Sequence, residues 1–278
     1  MTPPFSLDPV ADLQELVRFQ FMVNALWAGS IVAVLAAVTG WFMVLRRQAF
    51  AGHSLAVMAF PGATGAALIG LPTTLGYYLA CGTAALAMAR ARGRDAGIRG
   101  ETAAIGTIQS LGLAAGFLFL SLNAQLLGGP ETLLFGTFLG ITQGQVVGLG
   151  AVALVCLGAL AGAGRPLLFS SVDPVGARAA GAPVGRLDLA FVLVLGLAVA
   201  ATSQITGALL VFALLVAPAA TAQRFTARPL PGLALSIVLG LVIVWAGLAL
   251  AYWTPYPVGV YVSSLGFAAY LLARIATR

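Results

Sequence analysis

Lysine is absent from the 278 residues, histidine occurs once, cysteine twice, and only 8% of the chain is charged. Each shortage excludes something. A Walker phosphate loop needs a lysine beside the nucleotide phosphates, so this chain does not hydrolyse ATP by that route. The single imidazole, His53, and the two distant thiols, Cys81 and Cys156, have no metal-ligand spacing, and the cysteines read as small buried hydrophobes. The fourteen cationic side chains are all arginine and fall between hydrophobic runs, which argues against a nucleic-acid partner. Soluble domains carry roughly a quarter charged residues, so the chain is not an ordinary soluble domain.

What is present is 60% hydrophobic residues and 34 glycines, arranged in long uncharged runs. At about 20 apolar residues per crossing, this composition predicts an all-α, polytopic transmembrane bundle of about eight to nine spans. Candidate segments lie at 22–45, 54–71, 73–89, 102–121, 143–163, 188–204, 205–222, 230–251 and 258–273. If they alternate across a membrane, the arginines test the topology, because short positive loops mark the cytoplasmic side. Thirteen of fourteen then fall on one side and only Arg18 on the other. The expectation is a multi-pass plasma-membrane protein with its N-terminus outside and its C-terminus in the cytoplasm. The stretch from Met1 to Glu15 is acidic rather than basic and lacks the contiguous apolar core of a cleaved signal, and residues 1–20 are the N-terminal segment before the bundle. They read as an interfacial segment capped by Asp8, with Pro9 in its first turn, leaving 21–278 as one membrane domain.

Two loops carry information. On the outer side, 122–142 is broken by Gly128-Gly129-Pro130 and apolar around Leu133, Leu134, Phe135 and Phe138, which suits either a short interfacial gate helix or a packing loop. On the cytoplasmic side, the loop 165–188 holds helix signals: Asp173 as cap, Pro174 in the first turn, and Gly181 as stop. That predicts a two-turn helix bearing Arg178, too short to span and suited to docking another protein.

No Asp, Glu or Arg lies in the middle of a segment, so a carboxylate for ion coupling is missing. An intramembrane hydrolase is disfavoured, since Ser54 beside His53 lacks the nucleophile-elbow setting. His53 is either a metal or proton ligand or a polar cap near the headgroups, and Met58 is either a soft ligand or packing. The uncharged polar residues Gln109, Ser110, Gln143, Gln145, Thr202, Ser203, Gln204 and Thr206 either line a hydrated path or join neighbouring helices. Pro61 and Pro218 each free a backbone carbonyl and kink a segment, beside small residues that permit close approach.

Taken in order, several of these stretches resemble the membrane permease subunit of zinc and manganese ABC importers. They are Leu45-Arg46-Arg47-Gln48-Ala49-Phe50-Ala51-Gly52-His53 with Phe60-Pro61-Gly62, then Glu101 to Gly106, Leu134-Phe135-Gly136, Asp173-Pro174 through Gly181 to Asp188, and Gly207 through Pro218-Ala219-Ala220-Thr221-Ala222. The resemblance implies a transporter subunit rather than an enzyme, with no cofactor of its own. It also implies a second permease copy or close paralogue, a cytoplasmic ABC ATPase that hydrolyses the ATP, and an extracytoplasmic substrate-binding protein. It makes Asp173, Pro174, Arg178 and Gly181 the ATPase-coupling segment; beside it, the residues' own pattern leaves Pro61 and Pro218 as hinges and His53, Met58, Gln109, Ser203 and Gln204 as candidates for the path of zinc or manganese. One departure stands out. Where the family has an Asp and, four residues on, a His, this chain has His53 and Val57. The alternatives are therefore a chelated metal or other small solute on the same architecture, and a passive channel or non-transporting scaffold.

Overall fold

The computed structural model describes residues 15, 18–92, 97–123, 136 and 140–277. Among them are nine helices and no strand: α1 (Gln20–Leu45), α2 (Ala49–Leu68), α3 (Thr73–Arg92), α4 (Gly97–Leu122), α5 (Gln143–Val172), α6 (Pro174–Ala179), α7 (Val184–Phe225), α8 (Pro229–Trp253) and α9 (Val258–Ala276). The expected N-terminal interfacial helix and most of the outer loop 122–142 lie outside the described residues.

Local chemistry sets the boundaries. Between α1 and α2 the chain turns on Arg47, whose φ is 56°, while the Gln48 amide donates to the Met43 carbonyl at 2.9 Å and closes the helix end. Gly70, with φ 74°, ends α2, and Pro72 precedes α3. At α5 the Thr142 hydroxyl accepts from the Gln145 amide, while the Gln145 side chain accepts from the Thr142 amide at 2.9 Å, forming a reciprocal capping box.

Six helical stretches are long and apolar enough to cross a membrane: Gln20–Leu45, Thr102–Leu122, Gln143–Val172, Val184–Ala208, Pro229–Trp253 and Val258–Ala276. That is fewer than the nine segments expected. α2 and α3 have 20 residues each, but His53, Ser54 and Thr64 dilute the first, and two tyrosines with Arg90 and Arg92 the second. A second correction concerns the cytoplasmic loop. α5 does not stop at Arg165 but continues through Pro166 to Val172, because Leu167 and Ser170 bury the extension's inner face.

α7 is the hub, packing against α1, α2, α3, α5, α8 and α9. It has helical geometry over 42 residues except at Gly207, where φ is 77° and ψ 161°. A straight helix would separate Asp188 from Gln223 by about 52 Å. Yet Asp188 pairs with Arg46, and the Gln223 side chain donates to the Trp41 carbonyl at 3.0 Å, two α1 positions only about 7.5 Å apart along the axis. Gly207 is therefore a reversal. The chain runs up through Val184–Ala208 and back down through Leu210–Phe225.

Small residues permit the close crossings. Gly62 and Ala66 of α2 meet Gly76 and Ala80 of α3, and a Cβ on either glycine would strike the other's backbone carbonyl. Gly62→Val is expected to cost about 1–3 kcal/mol by overpacking this crossing, read as a lowered unfolding midpoint of the purified protein. An unchanged midpoint would show that the two helices can separate freely. Three further ties around α1 are uncharged: Asn24 donates to the Ile141 carbonyl at 2.9 Å, Ser236 to the Ala37 carbonyl at 3.2 Å, and Trp245 to the Ser30 hydroxyl at 2.9 Å.

Candidate functional site

The polar residues singled out in the sequence do not gather in one place. On α2, the His53 ring meets Phe212 of the descending limb of α7 edge-on, with centroids 5.0 Å apart. Its Nδ1 is buried without a hydrogen-bond partner. Val57, one turn further along, is buried. The Ser54 hydroxyl donates to Gln109 Oε1 on α4 at 2.7 Å, so Gln109 is engaged in joining two helices. Met58 packs its sulfur against Gly112 of α4, filling the space a larger residue would take. Pro61 lies inside a continuous α2, where its ring leaves the Val57 carbonyl without its usual amide. Pro218 does the same to the Leu214 carbonyl in the descending limb.

A second group surrounds the reversal. Thr202, Ser203, Gln204 and Thr206 precede Gly207, and the hydroxyls of Thr202 and Thr206 fold back on the carbonyls of Ala198 and Thr202 at 2.7 and 3.0 Å. Ser203 Oγ, by contrast, is buried and unpartnered. Gln204 donates to the Ala200 carbonyl at 3.3 Å. It also lines a cavity of about 60 Å³ with Gly140, Ile141, Gln145, Leu149 and Ile205. Gly136 of the 122–142 loop, with φ 70°, lies directly on the Ile205–Gly207 backbone, so close that a Cβ there would collide with the Ile205 carbonyl. The reversal is thereby covered by protein.

Among the described residues, no three His, Cys, Asp or Glu side chains come together as a metal site. Two buried polar atoms on the expected path, His53 Nδ1 and Ser203 Oγ, lack protein partners. Such orphans are uncommon in a native interior. Both cysteines are free and buried.

The other end of the bundle is charged. Arg46, at the close of α1, pairs with Asp188 of α7. Its guanidinium also donates to the hydroxyls of Ser171 at 2.8 Å and Ser170 at 3.3 Å, and lies 5.3 Å from the Phe191 ring centre. One side chain thus joins α1, the end of α5 and the start of α7. In the sequence Arg46 is a loop charge and part of a stretch that resembles the permease family, with no partner assigned to it. The signal available was Asp188, the last acid in the chain, at the mouth of an apolar segment where an unpaired carboxylate is costly.

Beside this clamp sits α6. Asp173 Oδ1 accepts from the Gly176 amide at 2.8 Å, Pro174 opens the first turn, and Gly181, with φ 81°, ends the piece. Ala177 is fully buried against the bundle, whereas Val175 is 74% exposed and Arg178 is also exposed.

Residues 18–277 match the model of the ABC 3 transport family. The chain belongs to that family. This ABC 3 permease is therefore a membrane transporter subunit and not an enzyme, and in such systems the ATPase is a separate protein. It is 31% identical over 241 residues to the chelated iron transport system membrane protein YfeC of Yersinia pestis, covering 87% of this chain and 81% of that one. It is 29% identical over 237 residues to the manganese transport system membrane protein MntC of Halalkalibacterium halodurans, covering 84% and 80%. Its fold superposes on a chain of PsaBC from Streptococcus pneumoniae, solved in complex with a Fab, with a TM-score of 0.83 at 25% identity over 95% of this chain and 94% of that one.

Proposed function

We propose that this permease is the membrane subunit of an ATP-driven importer for a divalent transition metal, zinc or manganese. The observation that carries the reading is α6. A six-residue helix pinned by fully buried Ala177, and presenting Val175 and Arg178 outward beside the Arg46 clamp, is suited to receive a moving partner. Two such chains on two cytoplasmic ATPases, fed by an extracytoplasmic binding protein, would complete the importer. Asp173, Pro174, Arg178 and Gly181 form the coupling segment, which passes the ATPase motion to α5 and α7. α2, α3 and the descending limb of α7 add to the six longer stretches to give nine crossings, N-terminus outside and C-terminus in the cytoplasm. Residues 21–278 act as one membrane domain. The path runs past His53, Gln109, Ser203 and Gln204, with Met58 as packing at its wall and Pro61 and Pro218 as kinks.

A second reading has a specific observation in its favour. His53 and Val57 stand where the family's Asp and His are expected, and the orphan His53 Nδ1 offers a bare cation one ligand atom. A chelated metal, whose own ligands complete the shell, fits that site more readily than a stripped ion. The relative named for chelated iron is consistent with it.

The deciding experiment is uptake into vesicles holding the permease with its ATPase, offered zinc, manganese, iron and chelated iron with and without ATP. The expected result is ATP-dependent entry of zinc or manganese. Entry of the chelate alone would transfer the assignment to the second reading, and entry without ATP would make the protein a channel. In the same vesicles Asp173→Ala, which removes the α6 cap at a stability cost of about 1 kcal/mol, should sharply lower the metal moved per ATP hydrolysed. Normal coupling would remove α6 from the mechanism.

A further inference from the structure

Between α1, α5 and the start of α8 lies an apolar groove of about 690 Å³, walled by Trp41, Leu157, Leu160 and Leu233. Its size falls within the range of about 300–1,000 Å³ typical of small-molecule sites. The groove belongs to the end of the bundle marked by Arg46, since Trp41 lies little more than one turn before it on α1. From Leu157 to Arg165 the α5 wall runs about 12 Å, most of the depth of one leaflet's hydrocarbon, which is about 15 Å. At the deep end the lining is aliphatic and aromatic, and at the rim stand Arg165 and Arg228. Neither guanidinium has an ion-pair partner among the described residues, and no acid lines the groove.

We propose that this groove seats an anionic phospholipid, one acyl chain lying along α5 and the phosphate held between Arg165 and Arg228. The charge pattern selects the occupant. Arginine is always protonated and grips phosphate through parallel N–H donors. Two such groups at the headgroup level need a compensating anion, and basic pockets between helices on the cytoplasmic side recruit anionic headgroups. A zwitterionic lipid brings its own ammonium toward the same two cations. A second copy docked groove to groove would gather four arginines about one axis with no carboxylate among them. The site is independent of which cargo the permease moves.

The test uses the full-length permease in nanodiscs of equimolar phosphatidylglycerol and phosphatidylcholine, with retained lipid identified by native mass spectrometry after extraction. Phosphatidylglycerol should be retained preferentially, and each of Arg165→Gln and Arg228→Gln should reduce that preference about fivefold, the pair more. A Cβ at Gly164, which lines the groove, meets nothing within 4 Å. Gly164→Trp should therefore fill the groove and expel the lipid with both arginines in place and the unfolding midpoint preserved. Equal retention of the two lipids would overturn the proposal. So would an unchanged phosphatidylglycerol preference in both the arginine variants and Gly164→Trp. Efficient disulfide formation between two copies of Ala161→Cys in membranes would overturn it as well, by making the groove a protein interface.

Discussion

Arg46→Met should destabilise this permease by about 3 kcal/mol, the lower end of the range for breaking a buried ion pair. The arginine side chain is only 6% exposed, so its loss leaves the Asp188 carboxylate without its counter-charge and the Ser170 and Ser171 hydroxyls without their shared donor. Asp188 is 35% exposed. Water reaches it, and that partial solvation places the expected cost at the low end of the range. Asp188→Asn should be milder, since an amide oxygen can still accept from the guanidinium. The double change Arg46→Met with Asp188→Leu should recover most of the loss, because two apolar groups of similar volume leave no buried charge behind. The unfolding midpoints in nanodiscs of the wild type, Arg46→Met, Asp188→Leu and the double variant, taken as a double-mutant cycle, check this. Additive losses with no recovery in the double variant would show that the pair is solvated and idle.

Gly207→Ala should have the second large effect, and it should appear in transport as well as in stability. Gly207 sits at φ 77° and ψ 161°, a region that side-chain-bearing residues occupy only at a cost of about 1–3 kcal/mol. The reversal also has no room, because Gly136 lies against the backbone from Ile205 to Gly207. A methyl group there must either flatten the turn or lift the Gly136 segment from it. Both displace Gln204 and Ser203 relative to α3, and ATP-dependent uptake should fall by more than tenfold while the protein still inserts. Gly136→Ala should give a similar phenotype, and the two together should cost less than their sum, since they disturb one contact. Full uptake by Gly207→Ala would mean that the turn serves only to connect two helices.

The sequence discloses these features unevenly, for physical reasons. The helices were legible because long uncharged runs admit little else in a membrane, and α6 because Asp173, Pro174 and Gly181 each act locally, through one hydrogen bond, one fixed φ and one left-handed φ. The separate segments 188–204 and 205–222 anticipated the reversal, but not its residue, since 34 glycines make any single one inconspicuous. The continuation of α5 beyond Arg165 was hidden by Pro166, a usual breaker, which here is tolerated where the helix is held by burial of Leu167 and Ser170. The Arg46–Asp188 pair was illegible because its members are 142 residues apart. Met58 and Gln109 are candidates for a path in the sequence, and only packing shows which residues they touch, Gly112 for the first and Ser54 for the second. His53 and Ser203 keep unsatisfied atoms, and that property exists only in three dimensions.

The position of α1 also has a consequence for how the protein is made. It is the most enclosed of the six longer stretches, yet it leaves the ribosome first, and its neighbours α5, α7 and α8 all come from the second half of the chain. The descending limb of α7 is complete roughly 180 residues after α1 ends, a delay of about 10–40 s at ordinary rates of synthesis. Until α5 follows, α1 must sit in lipid without these native contacts. Apart from Gln20 and Asn24 at its start, its faces are apolar or small all round, so the helix that ends as the core is first compatible with hydrocarbon on every side. Maturation then consists of exchanging lipid tails for α7 and α8, and a charged substitution in the middle of α1 would act during that wait, before any folded structure exists to be destabilised.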